Sequence, residues 1–97
     1  MRKVINGKVL TKSGLLVDAP PALRMESSGK LRNDLNKLAA WRKRVAIAEA
    51  VAVGHGFAEQ VFKRIPNKSQ TPAEAAEMMV FVFGEPCPEF EVEHGKS

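Results

Sequence analysis

Apolar residues recur every three or four positions in the middle of the chain, the spacing that places side chains along one side of an α-helix. They are Leu31, Leu35, Leu38, Trp41, Val45 and Ala48. Between residues 45 and 53 every second residue is alanine, which favours a helix over a strand. The pattern predicts one long helix from about Lys30 to Val53. Its second half is apolar nearly all round and should be buried on more than one side.

A glycine-rich turn, Gly54-His55-Gly56, should end this helix, with His55 as a turn residue. Apolar residues then lie four positions apart, at Phe57, Val61 and Ile65. Pro66 ends that pattern, because proline lacks the backbone N–H that a continuing helix needs. A second, short helix is therefore expected between the turn and Pro66.

The clearest local signal marks the start of a third helix. Thr71 is a suitable N-cap, Pro72 fits the first helical position, and Glu74 stands where a capping box needs a glutamate. The helix should continue to Phe83 and stop at Gly84. Its last six residues are all apolar, so they too should require cover on several sides.

The N-terminal region has a different character. In VINGKVL, residues 4–10, an Asn-Gly pair separates two apolar pairs, which is a strong hairpin signal. Pro20-Pro21 ends the extended stretch. We expect a mainly α domain divided into an extended or hairpin arm with little core of its own (1–28), a three-helix core (29–84) and an irregular, exposed acidic tail (85–97).

Composition limits the class of protein. The chain has 97 residues, 44% of them apolar and 27% charged, which fits one soluble globular domain. The single cysteine, Cys87, cannot form an intramolecular disulfide, so a reducing cytoplasm is expected. No signal peptide is predicted at the N-terminus. The apolar run at 45–53 is far shorter than the roughly 20 residues that span a bilayer.

Charge is distributed unevenly along the chain. Residues 1–68 carry 14 Lys/Arg and 5 Asp/Glu, whereas residues 69–97 carry one Lys and six Glu. Such asymmetry indicates either a negatively charged partner or neutralisation within the fold.

Catalysis is not predicted. The candidate groups His55, Cys87 and His94 do not form a spacing typical of a nucleophile with its base, and Gly54-x-Gly56 lacks the pattern of a phosphate-binding loop. We therefore expect no enzymatic activity, no cofactor and no metal site. Glu49 interrupts an apolar run, and Arg42, two turns earlier, is its expected ion-pair partner at a helix crossing; a contact at an interface is the alternative.

Partner binding is the function that the pattern favours. The candidate contacts are basic and apolar residues of the three helices: Trp41, Arg42, Lys43, Arg44, Lys63, Arg64, Met78, Met79 and Phe81. The basic residues would steer association, and the surplus apolar surface would bind the partner. The alternative is that the two apolar helix ends bury one another. A basic DNA-binding protein and a self-associating structural protein remain alternatives, although no nucleic-acid-binding signature is present.

The stretches LNKLAAWRKRVAIAEAVAVGHGF and RIPNKSQTPAEAAEMMVFVFG, in a chain of this length, resemble the anti-RecBCD protein 2 family of lambdoid phages. The resemblance implies a non-enzymatic early protein that acts in the host cytoplasm. It would bind the host RecBCD helicase–nuclease through the RecC subunit, protect phage DNA ends and favour phage recombination. The family provides no motif from which individual residues are carried over.

A loop bounded by prolines, residues 65–72, suggests one further partner. The Ile65-Pro66 bond is expected to be exposed, and an exposed prolyl bond of this kind is a possible substrate for a host prolyl isomerase. Pro66 is therefore a candidate conformational switch.

Overall fold

The computed structural model of the protein describes residues 2–21 and 31–92. In this part of the chain there are four short strands and three helices: β1 (Arg2–Val4), β2 (Lys8–Leu10), β3 (Leu16–Asp18), α1 (Leu31–Ala52), α2 (Gly56–Arg64), α3 (Pro72–Phe83) and β4 (Phe90–Val92). The predicted mainly α, three-helix fold is confirmed. The predicted start of the first helix at Lys30, the last part of the arm, His94 and the end of the tail lie outside the described residues.

Local signals in the sequence set the helix boundaries. The Thr71 side chain accepts a hydrogen bond from the Glu74 backbone N–H, and the Glu74 side chain accepts one from the Thr71 N–H, which completes the predicted capping box. Gly54 and Gly84 have φ values of 70° and 83°, so each follows its helix in the left-handed conformation that glycine adopts without strain. His55 is more than a turn residue, because its Nδ1 accepts a hydrogen bond from the Ala58 N–H and caps α2.

The apolar ends of α1 and α3 share one hydrophobic core. From α1 it includes Val45, Ala46 and Ala50; from α3 it includes Met78, Met79, Val82 and Phe83. Trp41 stacks on Phe83 with ring centroids 6.0 Å apart. Most of the surplus apolar surface is therefore covered within the chain, but Val51 and Val80 remain 58% and 45% exposed.

The predicted turn at Asn6-Gly7 is present, with both residues at positive φ and two backbone hydrogen bonds between Ile5 and Lys8. The flanking strands then take different partners. β1 pairs in parallel with β4, and β2 pairs in antiparallel with β3. The arm therefore contains a short antiparallel pair, formed by β2 and β3, whereas the turn at Asn6-Gly7 closes a single bridge between Ile5 and Lys8.

The expectation that residues 85–97 form an irregular, exposed tail is wrong for Phe90–Val92, which forms β4. The Phe90 ring lies edge-on to both Trp41 and Phe83, at centroid distances of 5.9 and 5.3 Å. The strand was not predicted from the sequence, because the acidic residues around Phe90 indicated an exposed tail. The aromatic side chain provides the apolar contact that brings β4 against the helices.

The N-terminal arm packs against the helices and contributes to their core. Val4, Val9 and Val17 are buried, and the last two belong to the same core cluster as the helical residues. Trp41 Nε1 donates a hydrogen bond of 2.8 Å to the backbone oxygen of Asp18. The three valines alternate with exposed residues, so the arm buries one face of each short strand.

The arm supplies the donors that the carboxyl end of α3 lacks. A helix leaves its last four carbonyl groups without partners inside the helix. Here Val80 O accepts from the Gly84 N–H and Val82 O accepts from the Lys12 N–H, both at 2.8 Å. Phe81 O accepts from Lys12 Nζ, and Phe83 O accepts from Arg2. Since α3 has no basic residue in its own last turn, these two cations also provide the positive charge that favours a helix C-terminus.

Replacing Lys12 with Met should lower the free energy of unfolding by about 1 kcal/mol, because the variant keeps the apolar stem but loses the hydrogen bond to Phe81 O and the cation–π contact with its ring. Urea denaturation would measure the change. Lys37→Met, at an exposed position of α1, is the matched control and should change stability by a few tenths of a kcal/mol at most. Equal effects of the two substitutions would contradict the capping role of Lys12.

Candidate partner-binding surfaces

Three of the predicted contact residues lie in the interior. Trp41, Met78 and Met79 are 1%, 0% and 3% exposed and belong to the core cluster. The prediction that they contact a partner is corrected: they lie where α1 and α3 pack against each other. The basic sequence beside Trp41 and the paired methionines did not indicate which side of each helix faces inward.

Two of the predicted basic residues bind the loop between α2 and α3. Arg42 Nη1 donates to Gln70 Oε1 at 3.2 Å, and Lys43 Nζ donates to Asn67 Oδ1 at 3.3 Å. Gln70 Nε2 in turn donates to the backbone oxygens of Ala39, at 2.7 Å, and Pro66, at 3.0 Å. The proline-bounded loop is thus fixed to α1 by several hydrogen bonds.

Pro66 is exposed, whereas Ile65 before it is buried in the core. The peptide bond between them is trans, as are the other peptide bonds in residues 2–21 and 31–92. The role of Pro66 as a substrate for a prolyl isomerase stays a prediction.

The remaining predicted basic residues, Arg44, Lys63 and Arg64, are exposed. Lys63 pairs with Glu59 one turn earlier, at 2.8 Å. Arg44 faces the strands: the hydrogen-bonded Lys8 ammonium lowers the pKa of the Asp18 carboxyl, and Arg44 adds a smaller effect of the same sign. Consecutive basic residues of α1 therefore act on different surfaces, as their helical positions require.

Glu49 is not paired with Arg42, so that prediction is wrong. The Glu49 side chain is 1% exposed, and its Oε1 accepts hydrogen bonds from Thr11 Oγ1, at 2.7 Å, and Ser13 Oγ, at 2.8 Å. Its Oε2 is buried without a hydrogen-bond partner among the described residues. Both donors come from the turn between β2 and β3, so this carboxylate holds the arm against α1.

The most exposed large apolar side chain of the described residues lies in a groove between α2 and α3. Phe57 is 74% exposed, although the sequence pattern placed it on the apolar side of its helix. The groove encloses about 580 Å³, and its lining includes Phe57, Val61, Val80 and Phe81 together with the polar residues Lys12, His55 and Glu77. Of the predicted contact residues, Phe81 alone lies in this groove, where it is partly buried. We refer to it as the α2–α3 groove.

Sequence reasoning missed Phe57 and Val80 as exposed apolar residues. The buried side of α2 consists of Ala58 and Phe62, one position along from Phe57 and Val61. Nothing within α2 distinguishes the two stripes, because each has apolar residues four positions apart, Phe57 and Val61 in one and Ala58 and Phe62 in the other.

The outer face of the arm carries a second group of exposed apolar side chains. Ile5, Leu10 and Leu16 are 57%, 54% and 61% exposed, and Leu10 lies directly opposite Leu16 in the β2–β3 ladder. Basic residues Arg2, Lys3 and Lys8 border the same hollow. Arg2 and Lys8 are paired with Glu85 and Asp18, so much of this positive charge is neutralised within the chain.

Thr11→Val should lower the free energy of unfolding by about 1–3 kcal/mol, because the buried Glu49 carboxylate would lose one of its two hydroxyl donors. Thr11→Ser, which keeps the hydroxyl, is the matched control and should lose less than half as much. Thermal and urea unfolding would measure both variants. If Thr11→Val were as stable as the parent, the carboxylate would not be what holds the arm in place.

Within the described residues, 2–21 and 31–92, no helix is both long enough and apolar enough to cross a membrane. Comparisons with protein-family models, curated proteins and solved structures give no match to this chain. Its function is therefore inferred from the surfaces described above.

Proposed function

We propose that this chain is a non-enzymatic modulator that binds the host RecBCD helicase–nuclease through RecC and protects phage DNA ends. The observation that carries the binding role is the exposure of Phe57, at 74%, beside the half-exposed Val80. Burying a phenylalanine side chain contributes about 2 kcal/mol, a gain that the isolated chain leaves unused.

The α2–α3 groove has the arrangement of an interaction site. Its centre is apolar, with Phe57, Val61 and Phe81, and its border carries a cation, Lys12, and a carboxylate, Glu77. Binding energy at protein interfaces is concentrated in a few aromatic side chains surrounded by polar residues. A partner surface with an apolar pocket for Phe57 and opposite charges at its border would fit this groove.

The identity of the partner is supported by sequence resemblance. The two stretches that resemble the anti-RecBCD protein 2 family, residues 35–57 and 64–84, include Phe57, Val80 and Phe81. The exposed cations Arg44 and Arg64 would accelerate association with an acidic surface. The host cytoplasm, where a phage must protect its DNA ends, is the corresponding location.

Phe57→Ser should weaken binding to purified RecBCD by roughly 30-fold, because a central aromatic contact would be lost. Val51→Ser is the matched control: Val51 is 58% exposed but does not line the groove, so binding should stay within about threefold of the parent. Biolayer interferometry with RecBCD, and with the enzyme lacking RecC, would measure both variants. Circular dichroism would establish that each is folded.

Several outcomes would contradict the proposal. Failure of the parent chain to bind RecBCD would exclude this partner, and equal binding with and without RecC would exclude the subunit. Unchanged affinity of Phe57→Ser would exclude the groove. Binding of a DNA duplex in place of RecBCD would favour a DNA-binding accessory protein, and a concentration-dependent oligomer abolished by Phe57→Ser would favour self-association.

A further inference from the structure

Another groove lies beside the loop that α1 holds. It encloses about 710 Å³ between α1 and residues 68–70 and is lined by Leu35, Asn36, Ala39, Arg42, Lys68, Ser69 and Gln70. The charged side chains that the structure describes in this lining, Arg42 and Lys68, are both cations. We refer to it as the Arg42 groove.

The guanidinium of Arg42 is held in a fixed direction. It donates one hydrogen bond, from Nη1, to Gln70 Oε1, and the Gln70 amide is itself fixed by the backbone oxygens of Ala39 and Pro66. An arginine has five N–H donors, and the others of Arg42 make no hydrogen bond to the described residues. A planar donor group that is already oriented loses little entropy when it binds a planar acceptor.

The charge of Arg42 is only partly solvated and is not neutralised nearby. Burial lowers the pKa of Arg42, with a smaller opposing effect from Cys87. Among the described side chains of residues 2–21 and 35–91, ion pairs are formed by Arg2, Lys8 and Lys63, whereas neither Arg42 nor Lys68 is paired with a carboxylate. A half-buried cation without a counterion is costly, and an incoming carboxylate would offset part of that cost.

We infer that the Arg42 groove receives the carboxylate of an aspartate or glutamate side chain from the partner protein, an inference that rests on the proposed function. The guanidinium of Arg42 would bind the two carboxylate oxygens, and Lys68 would supply a second positive charge. Leu35 and Ala39 provide an apolar wall for the methylene groups of the acidic side chain.

The recessed position of the arginine favours a protein carboxylate over a nucleic-acid phosphate. The phosphates of a duplex lie along a broad convex backbone and are bound by exposed cations that follow it. Arg42 is partly buried at the side of a groove, where a single protruding side chain can reach it. The side chains of Asp and Glu protrude singly in this way and each ends in a carboxylate.

The site can be tested without the partner by titrating the isotope-labelled chain with a hexaglutamate peptide and recording amide NMR spectra. A hexaglutamine peptide is the control ligand. Hexaglutamate should produce saturable shifts at the Gln70 side-chain amide and the Ser69 backbone amide, and hexaglutamine should not. Arg42→Gln and Lys68→Gln should each weaken this binding by roughly 10-fold or more, whereas Lys37→Gln, at an exposed position on the same helix, should leave it within about threefold.

Lys68→Gln keeps the test valid if Arg42→Gln perturbs the loop, because the Lys68 side chain is exposed and makes no hydrogen bond to the described residues. Absence of saturable shifts with hexaglutamate, or shifts that neither variant reduces, would overturn the inference. A short DNA duplex that produces the same shifts more strongly than hexaglutamate would also overturn it, in favour of a phosphate site.

Binding to RecBCD then separates the two proposals. Arg42→Gln should weaken that binding by roughly 30-fold, with circular dichroism establishing that the variant is folded. If the parent binds RecBCD and neither Arg42→Gln nor Lys68→Gln affects the affinity, the carboxylate site is wrong and the proposed function stands. If the parent does not bind RecBCD but hexaglutamate saturates the groove, the proposed function is wrong and the carboxylate site stands.

Discussion

The carboxyl end of α3 is the constraint on which the rest of the fold depends. Its last two turns carry Met78, Met79, Val82 and Phe83 into the core, while its final backbone carbonyls need donors from outside the helix. A carbonyl that folding removes from water without giving it a donor costs about 1–3 kcal/mol. The chain meets this requirement with Lys12 and Arg2 from the opposite end of the sequence.

The same requirement explains why an arm of three-residue strands is ordered. Strands this short are marginal in isolation, yet β2 and β3 are held by the Trp41–Asp18 hydrogen bond and by the two hydroxyls on Glu49. The buried Glu49 carboxylate and the carboxyl end of α3 lie in different elements, and both accept hydrogen bonds from residues 11–13. Polar groups, more than apolar area, thus determine where the arm sits on the helices.

Sequence reasoning succeeded where the determining contacts are local. The capping box at Thr71, the stop at Gly84 and the turn at Asn6-Gly7 each involve residues at most four positions apart, and each is present. It failed for the partners of Glu49 and for β4, because Thr11 lies 38 positions from Glu49 and nothing in either segment marks the other. The candidate site residues were predicted least well. Periodicity placed Trp41 on an apolar stripe, but Trp41 and Met78 were predicted to contact a partner and are buried, whereas Phe57, on the apolar side of α2, is exposed.

The parallel pairing of β1 with β4 has a consequence for how the protein forms during synthesis. Arg2 bonds to Phe83 across 81 positions of sequence, and β1 has no ladder partner until Phe90–Val92 has been made. Contacts between residues so distant close a large loop and form late in folding. During synthesis, α1 and α2 would therefore leave the ribosome before all of their apolar side chains can be buried. The nascent chain would bury them only when β4 is free to pair with β1.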